Sequence, residues 1–191
     1  MNKPEYSEST CTGRQVILYI AMSLDGFIAD NKGGVSWIGG VDKSYNGDYG
    51  YGEFISNIDT VIIGYNTYRQ VVTELAPDEW VYKGLKSYVL THKELKSTDE
   101  IEFTNENICD LVQRLKLEKG KDIWICGGAN IVNQLVKADF IDEYHLTIMP
   151  ILLGSGISLF LKDNKTIELE CKQAKVMNGV LDCVYVRRNK V

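Results

Sequence analysis

Five short apolar runs, each closed by polar or glycine-bearing residues, recur along the chain: VILYIAM (16–22), TVII (60–63), SYVL (87–90), IWIC (123–126) and YHLTIMPI (144–151). Unbroken apolar runs of this length, rich in β-branched residues, read as strands covered on both faces. Between them the apolar spacing changes to that of helices. Ile108, Leu111, Val112 and Leu115 form one stripe, with Thr104, Asn105 or Asn107 available as N-cap and Gly120 just past the end. Ile131, Val132, Leu135 and Val136 form a second, shorter stripe. Strands alternating with helices predict an α/β fold around a mainly parallel sheet.

The last segment departs from that alternation. Residues 168–177 and 180–188 flank Asn178-Gly179, the dipeptide that takes positive φ at both central positions of a tight hairpin turn. The sheet is therefore expected to be mixed, finishing in an antiparallel hairpin. Residues 1–14 are polar and aperiodic and read as a flexible arm; residues 15–191 read as a single domain.

Composition narrows the function classes. With 45% hydrophobic and 25% charged residues, 191 residues suffice for one large core. The formal charge of −5 and the scattered Lys and Arg residues leave no basic face for a phosphate backbone, so no nucleic acid partner is expected. No apolar run approaches the roughly 20 residues that cross a bilayer, and the polar start has no signal-peptide core, so a cytoplasmic protein is expected. Five widely spaced cysteines (Cys11, Cys109, Cys126, Cys171, Cys183) and two histidines, without C-x-x-C or H-x-E spacing, suit reduced thiols and predict no metal site.

Three loops at successive strand ends carry the chemistry. Gly127-Gly128 follows the fourth run and opens a helix, where bare backbone and unpaired N–H groups attract anionic oxygen; a tight turn needing positive φ is the competing reading. Gly64-Tyr65-Asn66-Thr67-Tyr68 repeats the arrangement after the second run, and Thr91-His92-Lys93 after the third offers hydroxyl, imidazole and ammonium in a row. There is no G-x-G-x-x-G after the first strand and no G-x-x-x-x-G-K-[ST], so neither the common dinucleotide fingerprint nor a P-loop applies.

The blocks YIAMSLDGFIA (19–29), VIIGYNTY (61–68), YVLTHKE (88–94), IWICGGANIVNQLV (123–136) and DEYHLTIMPILLGSGISLF (142–160) resemble, in order and spacing, the dihydrofolate reductase superfamily. Within it they resemble the stand-alone relatives of the reductase domain of riboflavin biosynthesis, over residues 16–188. The resemblance implies an NADPH-dependent reductase, a homodimer by the family's habit, transferring hydride to a C=N or C=O of a small pteridine- or pyrimidine-like heterocycle. A nucleotide-binding sensor without turnover is the alternative on the same fold. By position, Ala21 and Ile28 resemble residues flanking the nicotinamide, and Gly64, Asn66 and Thr67 the loop beside the pyrophosphate. Thr91 and His92 resemble the adenosine-phosphate loop, and Gly127, Gly128, Ala129, Asn130 and Ile131 the glycine loop beneath the pyrophosphate. Tyr65 stands where the family often has Arg, so a preference for NADPH over NADH rests on Thr91, His92 and Lys93.

On the substrate side the resemblance calls for a carboxylate before the second strand, and Asp48 and Glu53 are both candidates. Phe54 and Ile58 at core spacing after Glu53 would let that acid flank an apolar pocket and act as proton donor. Thr147 resembles a strand threonine that supports the carboxylate, and Trp37 an aromatic of the mobile loop over the site. Residues 30–50, glycine-rich and carrying Trp37, Tyr45 and Tyr49, are a candidate lid.

Overall fold

The structure, a computed structural model, describes residues 13–188. The chain runs through β1 (Val16–Ser23), β2 (Phe27–Ala29), α1 (Tyr51–Ile55), β3 (Ile58–Gly64) and α2 (Tyr65–Gln70), which continues into a π-helical turn at Val71–Leu75. Then follow β4 (Lys86–Leu90), β5 (Ile101–Thr104), α3 (Ile108–Leu117), β6 (Asp122–Gly127), α4 (Ala129–Ala138), β7 (Glu143–Met149) and β8 (Ile157–Ser158). The hairpin strands β9 (Leu169–Met177) and β10 (Val180–Arg187) close the chain. Among the described residues one eight-stranded sheet has the order β5-β4-β3-β6-β1-β7-β10-β9. The pairs from β5 to β7 are parallel, and β10 runs antiparallel to both β7 and β9.

Alternation along the strands divides two cores. Val16, Leu18, Ile62, Ile123 and Ile125 face α3 and α4, meeting Leu111, Val112, Leu115, Val132 and Leu135. Leu111 and Leu135 are fully buried, each contributing about 2 kcal/mol through lost apolar hydration. Ile17, Val61 and Trp124 point to the opposite face, where Phe54 of α1, Ile58 and Leu85 cover them.

Helix ends follow local chemistry. Asn107 caps α3, its side-chain oxygen accepting from Cys109 N at 2.8 Å, with Asp110 in the first turn and Arg114 and Lys116 in the last, as the helix dipole favours. The helix ends at Glu118 in extended conformation, so Gly120 is not its cap; Gly120 instead lies against the Arg14–Asp59 pair, where a side chain would collide. The hairpin turn is as expected: Asn178 at φ 51° and Gly179 at φ 76°, between paired Met177 and Val180.

Residues 1–12 of the expected arm lie outside the described residues. Arg14 is buried: its Nε donates to Lys121 O at 2.6 Å, and its NH2 donates to Thr60 Oγ1 at 2.6 Å and to Asp59. The chain is thus fastened two residues before β1. Asn133 of α4 is also buried; its amide donates to Ala129 O and Leu159 O while its oxygen accepts from Leu161 N and Asn164 Nδ2, tying residues 157–164 to the helix. No helix among the described residues is long and apolar enough to cross a membrane.

Candidate functional site

The parallel pair β3–β6 brings two strand ends together, with Ile63 opposite Gly127, and α2 and α4 begin directly after them. Gly64 and Gly128 are the N-cap residues, both extended and neither supplying a side-chain cap. The first-turn amides of α4 therefore have no intrahelical carbonyl to meet and no capping oxygen. Gly127 sits at φ 121°, a value that L side chains rarely adopt, and its peptide bond to Gly128 is cis. A Cβ on Gly64 would lie 3.2 Å from Ile131 Cδ1 and 3.5 Å from Gly128 N; one on Gly128 would lie 3.4 Å from Thr67 Oγ1. Glycine at both positions keeps the crease between the two loops open at backbone level.

That crease is the middle of a cleft of about 1290 Å³. Ala21 and Ile28 line one end, Thr91 and His92 the other, with Gly64, Asn66 and Thr67 facing Gly128, Ala129, Asn130 and Ile131 between them. Gly127 lies behind this surface, against Ile20. Apart from Gly127, the residues singled out for a dinucleotide thus line one groove. At the Thr91 end, Lys93 Nζ lies 4.4 Å from the centre of the Tyr65 ring, a cation–π contact on the cleft wall.

The first part of the 30–50 loop, from Asn31 to Ile38, supplies one wall. Asp30 Oδ1 accepts from Lys32 N and Gly34 N, bonds that hold its carboxyl below the usual carboxylate range. Gln70 Nε2 donates to Gly33 O at 2.8 Å, fixing the loop to α2. Val35 and Ile38 face the cleft, whereas Trp37 does not; its Nε1 donates to Gly34 O at 3.1 Å, which turns the indole back onto its own loop. The far end is held by Asn178, whose amide bonds the backbone of Asp42 and the Tyr49 hydroxyl.

The expected carboxylates are elsewhere. Phe54 of the five-residue α1 turns inward and stacks on Tyr19 with centroids 4.1 Å apart, so Glu53, one residue earlier, is carried outward. Glu53 borders a separate depression of about 380 Å³ that shares no residue with the cleft. Asp48 is exposed and caps the turn into α1, accepting from Gly52 N at 2.8 Å and Gly50 N at 3.0 Å; these bonds hold it below the usual range, which suits a fixed anion rather than a proton donor. Thr147 is buried and donates to Asp182 Oδ1 at 3.2 Å, not to either expected acid. Neither Asp48 nor Glu53 reaches the cleft.

Two groups went unread in the sequence. Asp182 is buried beside His145 and Thr147, and a carboxylate at an inward position of the apolar strand VLDCVYV was the available signal. Tyr82 and Cys126 both line the cleft, with the phenol oxygen 3.3 Å from Sγ. Cys126 could have been flagged by its place directly before Gly127-Gly128; Tyr82 lies in an aperiodic segment that gave no signal. Burial pushes the Cys126 thiol up to about 11, against the Tyr82 hydrogen bond that lowers it. The described residues contain no group of three or more His, Cys, Asp or Glu side chains placed to hold a metal ion.

Comparison with known proteins follows the same outline. The sequence model of the RibD C-terminal domain matches residues 14–181. The uncharacterized protein YwjB of Bacillus subtilis (strain 168) is 40% identical over 177 residues, covering 91% of this chain and 98% of that protein. The uncharacterized protein YyaP of the same organism is 31% identical over 182 residues, covering 90% and 94%. Among solved structures, a putative riboflavin biosynthesis protein from Shewanella sp. PV-4 superposes with a TM-score of 0.80 at 28% identity, over 92% of this chain and 99% of that one. A diaminohydroxyphosphoribosylaminopyrimidine deaminase/5-amino-6-(5-phosphoribosylamino)uracil reductase from Thermotoga maritima gives 0.69 at 16% identity, over 93% of this chain and 57% of that one, a likeness of fold.

Proposed function

Because the chain belongs to the RibD C-terminal domain family, we propose that it is a reductase that binds NADPH in the long cleft and reduces a C=N or C=O of a small pyrimidine- or pteridine-like heterocycle. The observation that carries this reading is the glycine crease: the uncapped N-terminus of α4 opens onto a cleft of about 1290 Å³ lined by residues from Ala21 to Thr91 and His92.

In this reading the first-turn amides at Ala129, Asn130 and Ile131, with Asn66 and Thr67 opposite, hold the pyrophosphate. Thr91, His92 and Lys93 receive the adenosine phosphate, with Tyr65 supporting the lysine. Ala21 and Ile28 flank the nicotinamide. When bound, the reduced nicotinamide supplies the hydride. The chain's own work is to orient that ring against the substrate carbon and to keep water away, for which the doubly anchored loop 30–50 is suited.

A coenzyme-binding sensor without turnover is the second reading, favoured by the position of Asp48 and Glu53 outside the cleft. Steady-state NADPH oxidation with pteridine, pyrimidine and quinonoid compounds, including 5-amino-6-(5-phosphoribosylamino)uracil, separates the two. Turnover of any of them supports the reductase; tight NADPH binding with none supports the sensor.

A further inference from the structure

The geometry points to the Tyr82 hydroxyl as the proton donor to the reduced oxygen or nitrogen of the substrate, with Cys126 positioning it. This rests on the reductase reading above.

Tyr82 and Cys126 line the same cleft as Ala21. Trp124 and Cys126, two residues apart on β6, lie on the sheet face that carries Tyr19 of β1, and Ala21 shares it by the same alternation. The phenol ring is fixed between two indoles, with Trp80 and Trp124 each 5.0 Å away by ring centroid and each edge-on. Its oxygen lies 3.3 Å from Cys126 Sγ. A ring held on three sides in this way has its hydroxyl oxygen placed before a ligand arrives; with the Cys126 thiol donating to that oxygen, the phenol proton is left for the substrate.

The other acids lining the cleft are poorly placed for the task. Glu106 precedes α3 and is paired with Arg114 at 2.9 Å, and Glu74 is exposed on the π-helical turn. Among the described residues, no carboxylate lining the cleft is therefore left to pair with a charged amidine edge at the Ala21 end. What the phenol offers is a hydrogen bond to a neutral acceptor, so the reduced group is a neutral carbonyl or imine. As its carbon gains the hydride, the π pair moves onto oxygen or nitrogen, the Tyr82 O–H bond breaks, and the proton goes to that atom. The phenolate left behind takes a proton from water entering the open cleft. Burial first, then the neighbouring thiol, holds the phenol well above its ordinary value, so it is protonated at neutral pH. An alkoxide or amide anion is more basic still, so the transfer runs downhill.

The test uses the 191-residue chain loaded with NADP+ and 4-nitrophenolate, an oxyanion resembling the charge developed on the reduced atom, read by its absorbance shift. Wild type is expected to bind it, and Tyr82→Phe, which keeps the ring packing, to bind it at least about tenfold more weakly at unchanged coenzyme affinity. With whichever compound wild type turns over, Tyr82→Phe is expected to lower kcat by about 100-fold with little change in KM. Equal nitrophenolate binding by both proteins, no binding by wild type, or an unchanged kcat overturns the Tyr82 assignment and leaves the coenzyme reading standing. Failure of wild type to bind NADP+ overturns the reductase reading and this assignment with it.

Discussion

His145 Nε2 lies 3.0 Å from both carboxylate oxygens of Asp182, and Thr147 Oγ1 donates to the same carboxylate. The pair stands below α1, packed edge-on against Tyr19 at 4.6 Å, and borders the smaller depression rather than the cleft. Asp182→Ala leaves a buried imidazole and hydroxyl without their acceptor and is expected to cost about 3 kcal/mol of stability. Urea denaturation measures the loss, and a parallel NADPH titration is expected to show affinity within about twofold of wild type, since energies of sites without shared partners stay independent.

Tyr19 responds to the same carboxylate. Burial first and Asp182 second push its phenol up to about 12, from an ordinary value of 10.0. Between those values the native state binds more protons than the unfolded chain, so the contribution is fully present below about pH 10 and is lost as pH rises through about 12. Urea midpoints taken between pH 9 and 11 are expected to fall more steeply for wild type than for Tyr19→Phe.

Lys93 is expected to set coenzyme preference. Its ammonium rests on the Tyr65 ring at the Thr91 end of the cleft, which the proposed coenzyme pose gives to the adenosine phosphate. Lys93→Met is expected to weaken NADPH by about tenfold and to leave NADH within about twofold, as measured by fluorescence titration.

Arg14 holds the start of the domain. Its side chain bonds Asp59, Thr60 and the carbonyl of Lys121 from a buried position. Arg14→Met keeps the stem and removes the donors, stranding those acceptors, with an expected loss of about 3 kcal/mol. Guanidinium unfolding checks it.

The parts legible in the sequence were those with a period or a steric rule. Apolar runs gave β1, β3, β4, β6 and β7 to within two residues, the 108–115 stripe gave α3, and Asn178-Gly179 gave the closing turn. The Gly64 and Gly128 loops were legible because glycine at a strand end leaves a mark in one dimension, whereas Ala21 and Ile28 came only from the family resemblance. β2, β5 and β8 were missed because two to four residues carry no readable period. The expected carboxylates fall outside the cleft for a different reason. Glu53 and Phe54 are neighbours in sequence, and a one-residue step on a short helix separates an inward face from an outward one, a difference that depends on where α1 starts. Asp182 and Tyr82 meet their partners across 37 and 44 residues, and such pairings appear only once the sheet order is known.

The central claim is that a reduced nicotinamide dinucleotide lies along the glycine crease. Backbone amide chemical shifts of the isotopically labelled chain, followed during NADPH titration, test it most directly. The account predicts saturable shifts concentrated at Asn66, Thr67, Thr91, His92 and Gly128 to Ile131. A titration that leaves these amides unmoved, or moves instead those around Glu53 and His145, contradicts it.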